Sequence, residues 1–141
     1  MIRIEMNRVA GDYGFEAKDA NGHSLTTDTS PEGGGTNAGV RPMQMLLMAL
    51  GGCSGIDVAM ILKKKRQELT GFRMDISGER EAGREPSLWK TVHVIFDLQG
   101  HNLDQAKAEQ ACQLSMDKYC SVAETLRRAG AEITWEVRVT A

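Results

Sequence analysis

Apolar and polar residues alternate from the start of the chain, with Ile2, Ile4 and Met6 set against Arg3, Glu5 and Asn7. A two-residue period is the mark of a half-buried strand, and it predicts one over residues 3–10. Gly11 and Asp12 follow as a turn, after which Tyr13, Phe15 and Ala17 share one side of a second strand over 13–18. The Asn21–Gly22 pair is a strong hairpin signal, so residues 23–29 return as a third strand.

The period then disappears. Residues 30–41 hold Pro31, four glycines and no large apolar side chain beyond Val40, which reads as a mobile loop. It leads to Pro42, a residue tolerated in the first turn of a helix. The run 43–62 is apolar nearly all round and closes on Lys63–Lys64–Lys65–Arg66. Such a helix calls for burial on every side, so a second copy of the chain is its simplest cover. The basic residues read as a solvated last turn that complements the helix dipole.

Alternation resumes at Phe72, Met74 and Ile76 (a strand over 70–81) and at Val92, Val94, Phe96 and Leu98 (90–98). Helical spacing at Leu103, Ala106, Gln110 and Leu114 predicts a helix over 103–119. Ser121 with Glu124 has the form of a capping box that opens a short helix through Ala129, ended by Gly130. A final strand covers 133–139. The order β-β-β-α-β-β-α-α-β describes an α+β domain with mainly antiparallel pairing, and 141 residues fit one domain spanning 1–141.

Composition removes several function classes. The chain is 41% apolar and 26% charged, with a net charge of −2. It has no basic field to hold nucleic acid or an anionic membrane. The apolar 43–62 run has the length of a membrane span, but Asp57 near its middle costs about 2.5–3.5 kcal/mol on insertion. A buried core helix is the expectation. The N-terminus lacks the pattern of a signal peptide, and three cysteines with no CxxC pair and no Cys-plus-His cluster make a poor secreted disulfide framework and a poor zinc site. The expected compartment is the cytoplasm.

The candidate chemistry lies in the thiols. Cys53 sits among Gly51, Gly52, Ser54 and Gly55 on the apolar helix, and Cys120 stands at a helix start, where the dipole favours thiolate. Asp57, four residues after Cys53, would oppose ionisation if it faced the thiol; a structural pairing with a base is its other reading. A cysteine on an apolar helix is by itself most simply a small core residue. Cys112, on the face of Ala108 and Met116, is read that way, and His23, His93 and His101 are read as surface residues. Arg41 is the nearest cation ahead of Cys53, but twelve helical residues separate them by about 18 Å. A bend or a second subunit would have to bring them together.

The runs Arg41–Pro42–Met43–Gln44–Met45–Leu46–Leu47–Met48–Ala49–Leu50–Gly51–Gly52–Cys53–Ser54 and Leu114–Ser115–Met116–Asp117–Lys118–Tyr119–Cys120–Ser121–Val122 resemble the OsmC/Ohr family. Phe96–Asp97–Leu98–Gln99–Gly100 and the strand order extend the likeness over nearly the whole chain. The resemblance implies an intertwined homodimer with antiparallel sheets around two long central helices. It implies a thiol peroxidase of organic hydroperoxides, active in oxidative and osmotic stress defence, that needs no metal or other cofactor. Carried over, Cys53 matches the peroxidatic cysteine and Cys120 the resolving one, with a thiol reductant (a dihydrolipoyl protein in some relatives) restoring the pair.

Two positions depart from the family pattern. The family's helix-start glutamate falls on Met43, and no arginine occurs between Arg8 and Arg41 where the activating one is expected. Arg41 is then the candidate cation, delivered across the dimer interface. The alternative is a non-catalytic relative that holds a small apolar or thiol-bearing molecule in an interface pocket lined by methionine.

Overall fold

A computed structural model describes residues 1–140. The chain divides into two compact units, Met1–Leu46 and Leu47–Ala141.

The first unit is an antiparallel meander of β1 (Glu5–Ala10), β2 (Gly14–Lys18) and β3 (Ser24–Thr27) in that spatial order. The second turn is built by Asp19, whose Oδ1 accepts from the backbone N–H groups of Asn21 and His23, both at 2.9 Å. Burial of the alternating apolar face is not met in the single chain, where Ile4 and Met6 are 55% and 52% exposed.

The loop expected to be mobile has a defined anchor in Asp28, which is buried. One carboxylate oxygen accepts from the Thr29 N–H at 2.7 Å. The other accepts from the Thr36 N–H, the Thr36 hydroxyl and the Ala38 N–H at 3.2, 2.9 and 3.0 Å. These donors, the Ala38 N–H foremost, hold the Asp28 carboxyl below its ordinary pKa. Glycine is required where the loop folds back closely: a Cβ on Gly39 would lie 2.1 Å from the Thr26 carbonyl oxygen.

Helix α1 (Pro42–Lys64) starts at the expected proline. It buries one stripe, Leu50, Ser54, Val58 and Leu62, at the four-residue spacing of a single helix face. Met48, Ile56 and Met60 are 53%, 64% and 55% exposed. Burial on every side is therefore not supplied by one chain. By length and composition α1 is also the one helix among the described residues able to cross a membrane. Its buried side lies on a sheet, with Gly51 approached by the side chains of Ile76 and Met74.

That sheet has the order β4–β5–β6, formed by β4 (Leu69–Arg80), β5 (Trp89–Gly100) and β6 (Glu132–Thr140). β4 and β5 are antiparallel as expected, while β6 runs parallel to β5. A parallel return needs a crossover of a dozen or more residues, and α2 (Gln105–Leu114) and α3 (Ser121–Arg128) provide it, both against β6. The alternating residues Val92, Val94, Phe96 and Leu98 are all buried, and Phe96 has the rings of Phe72 and Trp135 at 6.5 and 6.4 Å.

Cys112 is core, as read from its helix face. It is fully buried, and burial, with a smaller effect from the Glu109 charge, raises its thiol from 9.0 to about 12. Because the folded-state value lies above the unfolded one, the stabilisation is complete below pH 9.0 and fades between pH 9.0 and about 12. Urea denaturation of reduced protein between pH 8 and about pH 10.5 should therefore show the parent losing stability more steeply than Cys112→Ala. Parallel pH profiles would show that the Cys112 thiol is not suppressed.

Candidate active site

Cys53 and Asp57 are four residues apart on α1 and so lie on one face of it. Cys120 arrives from the other end of the unit, through an unexpected piece of backbone. The predicted helix over 103–119 stops at Leu114, and Ser115–Tyr119 widens into a π-turn closed by the Cys120 N–H donating to the Ser115 carbonyl at 2.8 Å. Such wide turns recur at functional sites. Arg127 holds this one in place, donating from Nη1 to the Met116 carbonyl, with Nη2 4.0 Å from Asp117.

The cap of α3 is also displaced from its expected place. Cys120, not Ser121, is the capping residue: its backbone is extended, and Sγ accepts from the Ala123 N–H at 3.4 Å. Ser121 is the first helical residue, and Glu124 turns outward to pair with Arg128 at 3.2 Å. A cap must leave the helical backbone region, and the π-turn puts Cys120 in that position.

The Cys53 sulfur, the Cys120 sulfur and an Asp57 carboxylate oxygen all lie within 4.8 Å of one another. Both thiols are free; Cys120 is buried, while Cys53 and Asp57 are half-buried. Buried Ser115 fixes the carboxylate: its Oγ is 2.9 Å from Asp57 Oδ2 and 3.0 Å from Ser54 Oγ. A hydroxyl has one proton and an ionised carboxylate none, so Ser115 donates to Asp57 and accepts from Ser54. Burial, aided by the neighbouring Cys53, pushes the Cys120 thiol up to about 11 against the lowering effect of the Ala123 and Val122 N–H groups. A cleft of about 430 Å³ opens beside Cys120, lined in part by Met116, Tyr119, Glu124 and Arg127.

The structure thus brings together two of the three residues expected at the site. Arg41 lies in the N-terminal unit, where Nη1 donates to the Gly39 carbonyl at 3.0 Å and Nη2 to Asn37 Oδ1 at 2.8 Å. Both acceptors are neutral oxygens. Asp57 does face the thiols, as its i+4 spacing allowed. Sequence reasoning passed over Ser54 and Ser115, whose role depends on a contact between residues 61 positions apart. His23 and His93 are surface residues, paired with Asp19 at 3.0 Å and Glu136 at 3.2 Å.

Comparison with known proteins bears on the family and the fold. The family described as OsmC-like protein matches residues 34–136, a span that includes both thiols and the π-turn. Protein YhfA of Escherichia coli (strain K12) is 37% identical over 127 residues, 90% of each chain. A crystal structure of a hypothetical protein from Aquifex aeolicus VF5 superposes with a TM-score of 0.81 at 30% identity, covering 100% of this chain and 98% of that one. An organic hydroperoxide resistance protein OsmC from Legionella pneumophila shares the fold with a TM-score of 0.70 at 16% identity, covering 99% and 97%. The chain belongs to the OsmC-like protein family.

Proposed function

We propose that the protein is a thiol peroxidase that reduces organic hydroperoxides through Cys53 and Cys120. The observation that carries this reading is the approach of the two sulfurs to within 4.8 Å. A disulfide needs about 2.05 Å, a gap that side-chain rotation and a small backbone shift can close. Cys53 is the attacking thiol, since it is the more accessible of the two.

In this scheme the Cys53 sulfur attacks the peroxide, the O–O bond breaks, and the alcohol leaves with a proton. The sulfenic acid that remains is attacked by the Cys120 sulfur, water departs, and the Cys53–Cys120 disulfide is left two electrons more oxidised than the dithiol, those electrons having passed to the peroxide oxygens. An external dithiol then restores both thiols. Asp57, anchored by Ser115, is the group placed to take the Cys53 proton through one water and return it to the departing oxygen. Arg41, whose hydrogen bonds here go to neutral oxygens, supplies positive potential from a second copy. The exposed apolar side chains of α1 and β1 support a homodimer, and the methionines along α1 suit a greasy hydroperoxide tail.

The test is stopped-flow oxidation of reduced protein. An alkyl hydroperoxide should react at least about tenfold faster than hydrogen peroxide, because only it gains from apolar contacts worth about 1–3 kcal/mol. Equal rates, or no oxidation, would remove this reading. One observation favours the alternative of a non-catalytic binder: Asp57 places negative charge beside the thiols, and no cation figures among the causes of the Cys120 shift. That reading predicts that a small apolar or thiol-bearing molecule binds while an alkyl hydroperoxide leaves both thiols unoxidised.

A further inference from the structure

Two sulfurs and a carboxylate oxygen converge from two segments of the chain, with all three atoms within 4.8 Å of one another. The carboxylate opposes ionisation of the thiols until a proton or a cation offsets its charge. For a divalent cation the grouping is a favourable one. We propose that the reduced protein binds one Zn²⁺ per chain through Cys53, Asp57 and Cys120. The assignment uses the thiols of the peroxidase reading but does not depend on that reading.

The donor set selects the ion. Thiolates exclude Mg²⁺ and Ca²⁺, which take oxygen ligands, and two sulfurs with one oxygen suit Zn²⁺. Zinc holds sulfur at about 2.3 Å and carboxylate oxygen at about 2.0–2.2 Å, so tetrahedral ligands stand about 3.5–3.8 Å apart. The present separations, at most 4.8 Å, contract to those values by side-chain adjustment. Cys53 and Asp57 are already on one helix face, and Cys120 is held by its cap to Ala123. The hydrogen bond from Ser115 to Asp57 Oδ2 orients the carboxylate in the way outer-shell groups commonly fix metal ligands. Three protein ligands leave the fourth position to water or a small thiol. Binding releases two protons from the thiols, and it excludes the disulfide because both sulfurs are occupied.

The test is a competition titration of the reduced, full-length chain with Zn²⁺ and a chromogenic chelator, without peroxide. It is paired with Co²⁺ spectroscopy of the parent protein. Expected are one Zn²⁺ per chain, a sulfur-to-cobalt charge-transfer band, and no binding by the oxidised disulfide form. Cys53→Ser and Cys120→Ser should each weaken binding at least about a hundredfold and Ser115→Ala about tenfold, while Cys112→Ser binds as the parent does. The assignment is overturned if the Co²⁺ spectrum lacks sulfur charge transfer. It is equally overturned if stoichiometric binding survives loss of both site thiols, as a surface pair such as His93 and Glu136 would produce. The peroxidase reading is judged separately, by oxidation rates in excess chelator.

Discussion

Cys53→Ser is expected to lower the rate of alkyl hydroperoxide reduction by at least about a thousandfold, since a serine hydroxyl cannot be oxidised to a sulfenic acid. Cys120→Ser should behave differently. Its Cys53 still meets peroxide, so one equivalent is consumed at close to the parent rate. The reaction then stalls, because the sulfur placed to resolve the product is gone. A sulfenic acid trapped by a diketone reagent and located on Cys53 by mass spectrometry would distinguish the two roles. If both variants turned over like the parent, neither role could stand. Cys112 serves as the internal control: it is fully buried, and its thiol is raised to about 12, so it should contribute nothing to either result.

The second large effect is on stability. Phe96→Ala should cost about 3–5 kcal/mol, read as a fall in the urea midpoint with the slope of the transition unchanged. Phe96 is fully buried on the central strand β5, with the rings of Phe72 and Trp135 on either side. Loss of its side chain removes apolar burial and leaves a cavity between three strands that are fixed by their ladder. Phe96→Leu, which retains most of the volume, should cost less than half as much. A loss under about 1 kcal/mol for Phe96→Ala would mean that the sheet core is not packed as described.

Much of this was legible in the chain itself. Period-two alternation located five of the six strands, the Asn21–Gly22 hairpin signal marked the third, and Pro42 marked the start of α1. Where the reading failed, a distant contact prevailed over a local signal. The Ser121–Glu124 spacing matches a capping box, yet the π-turn at Ser115–Tyr119 advances the cap to Cys120. No helical period announces such a turn. Similarly, Asp28 organises a glycine-rich loop that composition alone reads as slack, because four hydrogen bonds converge on one carboxylate.

The site was legible in part for the same reason. Cys53 and Asp57 share a helix face by simple spacing, whereas their meeting with Cys120 and Ser115 is a product of tertiary folding. The family likeness anticipated the first of these meetings and was silent on the second. Burial of α1 is the remaining contrast. A helix apolar all round implies full cover, and one chain covers a single stripe. Sedimentation should therefore report a dimer at micromolar concentration.

The most direct measurement is a peptide map of the protein after one equivalent of an alkyl hydroperoxide, taken without reduction and with free thiols blocked. The account predicts a single Cys53–Cys120 linked peptide within one chain, with Cys112 alkylated only after unfolding. Recovery of Cys53 and Cys120 as separate, unoxidised thiols, or of a disulfide that joins either to Cys112, would contradict it.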